Sequence, residues 1–265
     1  LDAALQPVSS NAAILLDQEW HTLFIAPPRS IHAGLATLPD SAALLAKLGT
    51  TRFDWASLVQ ELQAHGTANL HLEKLFERLT EAPRGVTLAC LELPIFPDQH
   101  GKLGPLVPNA ARHLGVVAPA SDLPTSLLPE VRFLASFAAL ERLLDTLRWP
   151  RFDLPALVEA LEWQKLNAEQ ADLLLTNIEA SQAPWTGPQL ERLASLSIFE
   201  SAGGERLPLS QLWRYEDDAL AALLRDRPEL AQTCVSARVV EKLGLEDRLS
   251  RADLDILLAQ LPGPD

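Results

Sequence analysis

The sequence predicts a mainly α fold with small β-hairpins, an α+β chain built from two related units of about 100 residues and a partial third. Three observations predict it. A motif of two apolar residues, a glycine turn and a Pro-Leu pair occurs twice, a second motif upstream of it also occurs twice, and helical apolar spacing fills the rest.

The first motif is Ile95-Phe96, four residues, Gly101, three residues, Pro105-Leu106; it returns as Ile198-Phe199, Gly204 and Pro208-Leu209 at identical spacing. A short apolar run that enters a polar, glycine-bearing turn and leaves it as another apolar run reads as a β-hairpin. Gly101 and Gly204 are placed to supply a positive φ, and Pro94 and Pro105 suit short strands at an edge. The second motif is Arg52-Phe53-Asp54, matched by Arg151-Phe152-Asp153. The offsets are 103 for the hairpin motif and 99 for the Arg-Phe-Asp motif, which sets the unit near 100 residues. A third, partial echo is Lys242-Leu243-Gly244 against Lys47-Leu48-Gly49. The expected division is residues 1–110, 111–213 and a helical 214–265.

Asp54 and Asp153 are placed to cap helices, because a carboxylate at that position accepts hydrogen bonds from the free N–H groups of the first turn. Behind them Trp55, Leu58, Val59 and Leu62, and Leu154, Leu157, Val158 and Leu161, fall on one helical face each. Leu72, Leu75, Phe76 and Leu79 mark another amphipathic helix, as do Phe137, Leu140, Leu144 and Leu147, and finally Leu254, Leu257, Leu258 and Leu261.

Composition restricts the function classes. A formal net charge of -13 opposes a phosphate backbone, whose affinity comes from Lys and Arg displacing counterions, so nucleic acid is not expected as a partner. The apolar runs are far shorter than the roughly 20 residues that cross a bilayer, so no membrane segment is expected either. Cys90 and Cys234 lack CxxC or Cys/His spacing and are expected as buried free thiols in a reducing cytoplasm, with a disulfide between them as the alternative. Without a methionine or a signal-peptide pattern at its start, the sequence reads as a piece of a longer chain.

No catalytic, cofactor or metal motif emerges. The histidines His21, His32, His65, His71, His100 and His113 form no metal-binding spacing, and His100 reads as a solvated turn residue. Phosphate loops and a GxSxG elbow are absent. Glu216-Asp217-Asp218 lacks the alternating ligand spacing of a calcium loop and reads as an acidic first helical turn. Trp185, between Pro184 and Thr186-Gly187-Pro188, reads as a loop residue; of the aromatics it is the best placed for contact with a partner, and the competing, favoured reading is a loop anchor packed back onto the helices.

The order of motifs resembles the large repeats of the sacsin family. Leu93-Pro94-Ile95-Phe96 is similar to that family's first hairpin and Ile198-Phe199 with Gly204 to its second. Leu212-Trp213-Arg214-Tyr215 stands where the family carries L-Y-D-P, and Leu243-Gly244-Leu245 matches its closing L-G-L element. The similarity runs in order through residues 90–261, with Arg214-Tyr215 departing from the family's D-P. The resemblance implies a very large cytoplasmic chaperone-like protein in which ATPase modules accompany helical repeats. The expectation is a non-enzymatic scaffold that binds protein clients or other modules of its parent chain, without a cofactor. Two alternatives stand beside it: a spacer that positions ATPase modules, and an enzyme whose site assembles from distant residues.

Overall fold

The computed structural model describes residues 14–26, 30, 40–47, 49–161, 166–201, 204–209, 212 and 239. The expectations on His32, Trp213, Tyr215, Glu216-Asp217-Asp218, Cys234, Lys242-Leu243-Gly244 and the helix of residues 254–261 lie outside the described residues, as does all of 214–265 except Val239. The fold is mainly α, with small two-stranded sheets.

Packing divides the chain into two compact units. One holds the described residues up to Ala118 together with Val131–Arg151, and the other holds Pro119–Glu130 together with the described residues from Phe152 onward. The boundaries at 110 and 213 mark where the sequence recurs, and the packing follows a different division.

In the first unit, β1 (Ile14–Leu15) pairs in parallel with β2 (Thr51–Arg52), and the Phe53 N–H extends the pairing to the Leu15 carbonyl at 3.0 Å. Helices α1 (Gln18–His21), α2 (Ser41–Lys47), α3 (Trp55–His65), α4 (Leu72–Glu81) and α5 (Arg84–Leu91) lead to the hairpin β3 (Phe96–Pro97) and β4 (Leu103–Gly104). The chain returns to this unit for α6 (Ala138–Leu147), which packs on α4. Leu75, Phe76 and Leu79 of α4 and Leu140, Leu143 and Leu144 of α6 share one core. Around it Trp20 meets Phe53 edge-on at 5.2 Å, and Phe76 stacks on Phe96 at 5.5 Å. Phe137, expected on the inward face of α6, is its N-cap residue and is exposed, while Leu143 takes a core place that the spacing did not single out.

The second unit repeats the plan. A parallel bridge joins Pro119 to Phe152, followed by α7 (Leu154–Ala160), α8 (Ala168–Ala180), α9 (Gly187–Ser195) and the hairpin β5 (Phe199–Glu200) and β6 (Arg206–Leu207). Just as α3 packs with α5, α7 packs with α9. The two capping aspartates perform the same task. Asp54 Oδ1 accepts from the Ser57 N–H at 2.8 Å and Asp153 Oδ1 from the Ala156 N–H at 3.0 Å, a bond that stabilises a helix by about 1 kcal/mol.

A longer match than Arg-Phe-Asp now becomes legible. Leu44-Leu45, Leu48 and Arg52-Phe53-Asp54 correspond to Leu143-Leu144, Leu147 and Arg151-Phe152-Asp153, all at an offset of 99. The backbone agrees, because Arg148 caps α6 in the left-handed region at φ 51° and Gly49, 99 residues earlier, also has a positive φ of 79°. By sequence α6 therefore belongs to the second repeat, and by packing it completes the first unit.

Candidate functional site

The two hairpins are the features the sequence singled out most clearly, and they match bond for bond. Phe96 pairs with Gly104 and Pro97 with Leu103; Phe199 pairs with Leu207 and Glu200 with Arg206, each shifted by the sequence offset of 103. Both turns end on a left-handed glycine, Gly101 at φ 77° and Gly204 at φ 80°, the geometry a three-residue hairpin loop needs and glycine adopts without steric cost. Ile95, Phe96, Ile198 and Phe199 are buried, as are Leu106 and Leu209, and Pro105 and Pro208 are half-buried.

What holds each turn differs. In the first, the Asp98 carboxylate is 3% exposed. Its Oδ1 accepts from the His100 and Lys102 N–H groups at 2.9 Å each, and its Oδ2 from Arg132 Nε at 2.7 Å. Arg132 also donates to the Lys102 and Leu103 carbonyls, so one guanidinium ties the returning segment to both arms of the turn. Desolvation pushes the Asp98 pKa up, but the hydrogen bonds from Arg132, Lys102 and His100, aided by the Arg132 charge, outweigh it and leave the pKa lowered. Gly104 leaves room for this clamp, since a Cβ there would sit 2.8 Å from Arg132 Nη1. In the second hairpin Ser201 replaces Asp98 and its Oγ accepts from the Glu205 N–H at 3.1 Å. Arg206 of that hairpin reaches the Ile198 carbonyl at 2.8 Å and Asp172 of α8 at 2.7 Å. His100 is exposed at the tip of the first turn, as expected of a solvated turn residue.

The Arg-Phe-Asp residues are equally structural. Phe53 and Phe152 are buried. Arg52 pairs with Asp17, and Arg151 with Glu141 and Asp145 at 2.7 and 2.9 Å. Trp185 is half-buried in the connection between α8 and α9.

Within the second unit a cleft of about 480 Å³ opens where the segment of residues 120–123 meets the start of α7 and the end of α8. Its polar walls are Ser121, Asp122, Asp153, Asn177, Ser181 and Gln182. Asp153 is committed to capping α7, and among the described residues no histidine, lysine or cysteine lines the cleft. Trp185 is not among the lining residues. In the first unit Cys90 is a free, buried thiol whose pKa burial raises to about 11, which leaves it protonated and unreactive near neutral pH. Among the described residues no cluster of His, Cys, Asp and Glu is placed to hold a metal ion, and no helix is long and apolar enough to cross a membrane.

Sequence reasoning missed Arg132, which lies 34 residues from Asp98 with no local motif to announce it. It also missed the Ile14–Leu15 strand that supports Arg52 and Phe53. Comparison of the chain with protein-family models, curated proteins and solved structures finds no match.

Proposed function

We propose that the chain is a non-enzymatic protein-interaction scaffold, a segment of a larger chaperone-type protein of the kind that the sacsin-like order of motifs implies. One observation carries the scaffold reading: α6, from the second sequence repeat, completes the core of the first unit by packing on α4. Repeats that lend a helix to their neighbour form a quasi-one-dimensional array, the architecture proteins use to present extended binding surfaces. Binding of protein clients follows from the resemblance, and the buried, free Cys90 suits the reducing cytoplasm that it implies. The same interlocking also suits a spacer that positions ATPase modules without touching clients.

Suppression of the aggregation of a destabilised model client, measured with the purified chain and no nucleotide, separates these readings. The scaffold reading expects suppression at equal molar ratio. A folded, helical chain that has no effect would favour the spacer. ATP hydrolysis abolished by a point substitution in this chain would overturn the non-enzymatic assignment.

A further inference from the structure

We propose that the Leu44 face of α2 docks a preceding module of the same kind, which α2 completes in the way α6 completes the first unit. The inference concerns how modules join and does not depend on client binding. It starts from a position that occurs three times. Leu44 corresponds to Leu143 through the 99-residue offset, and to Val239 through the Lys-Leu-Gly echo at an offset of 195. Leu143 is 0% exposed and Val239 2%, whereas Leu44 is 59% exposed. The same apolar position is sealed in two repeats and open to water in one.

What seals Leu143 identifies the missing occupant. It lies in the core that α6 forms with α4, among Leu75, Phe76 and Leu79, and the salt bridge from Arg142 to Glu77 at 3.2 Å joins the two helices at the surface. The partner that fits Leu44 is therefore a helix with the apolar face of α4, carried by a module whose hairpin precedes α2 in the chain. A second copy of this chain fits poorly, because its own α4 is already covered by α6. The backbone supports the equivalence independently: Gly49 after α2 and Arg148 after α6 both have positive φ and both stand three positions before the Arg-Phe-Asp motif.

The test uses the full chain carrying Leu44→Cys, alone and with an additional copy of residues 1–110 fused at its N-terminus. Maleimide labelling at position 44 is followed by peptide mass, with Leu88→Cys, at a site 45% exposed, as the control. Position 44 is expected to label at least about tenfold more slowly in the extended chain while position 88 is unchanged, because a packed side chain reacts only when the structure opens locally. In parallel, Leu44→Asp is expected to leave the melting midpoint of the original chain unchanged and to lower that of the extended chain. Equal labelling of position 44 in the two chains would overturn the proposal. So would labelling of the original chain that slows as its concentration rises, which would assign the face to a second copy.

Discussion

A fragment that ends at residue 110, where the first sequence repeat closes, is expected to lack a cooperative thermal transition, whereas a fragment of residues 1–151 is expected to retain one. The shorter piece contains both capping and hairpin motifs of a whole repeat, so sequence recurrence alone would expect it to fold. It lacks α6, and with it Leu140, Leu143 and Leu144, each 0% exposed in the core shared with α4. Burying a leucine contributes about 2 kcal/mol, so three of them contribute about 6 kcal/mol, within the roughly 5–15 kcal/mol of net stability that a domain possesses. The shorter fragment also loses Val116 and Phe133, whose strand-like pairings extend the first hairpin: Leu106 bridges Val116, and Val117 bridges Phe133. Differential scanning calorimetry of the two fragments checks the expectation, and a sharp transition in the shorter one would show that α6 is dispensable.

The second large effect is expected at Asp98. Asp98→Ala leaves two backbone N–H groups and Arg132 Nε without their acceptor and removes the counter-charge of a guanidinium that is only 29% exposed. Removing one partner of such a pair costs about 3 kcal/mol, while Ser201→Ala at the equivalent place in the second hairpin removes one neutral hydrogen bond, worth about 1 kcal/mol. The pH dependence has a definite sign. Because the folded-state pKa of Asp98 is lowered, its stabilisation is fully present above the ordinary carboxylate value of about 4 and fades as pH falls through the lower folded value. The stability gap between the wild-type chain and Asp98→Ala, measured by urea unfolding, is therefore expected to be constant from neutral pH to about pH 5 and to shrink in stronger acid. A gap that stays constant into strong acid would deny the charge on Asp98 its role.

These effects also define what was legible in the sequence. The hairpins, their positive-φ glycines and the two capping aspartates were readable because each depends on a few neighbouring residues with stereotyped geometry. The parallel pairing of Ile14–Leu15 with Thr51–Arg52 was not, since two-residue strands carry no alternation and their register depends on contacts 37 residues apart. Asp98 carries no distinguishing signal in the sequence, because its partner Arg132 arrives on a separate segment. The lending of α6 to the first unit escaped for a different reason. Leu143-Leu144 and Leu44-Leu45 match in sequence, but sequence similarity records kinship between segments and says nothing of which core each one enters. For the candidate site the yield was smaller still: Trp185 could be placed in a loop, whereas the cleft of the second unit is assembled from segments far apart in the chain.

The interlocking of repeats is the central claim, and native-state hydrogen exchange tests it most directly. If α6 is part of the first unit, its slowest amides share one opening free energy with those of α4, and Leu143→Ala lowers both together. If instead α6 exchanges with α7 and α8, and Leu143→Ala leaves α4 protected, the helix belongs energetically to its own sequence repeat and the interlocked array is wrong.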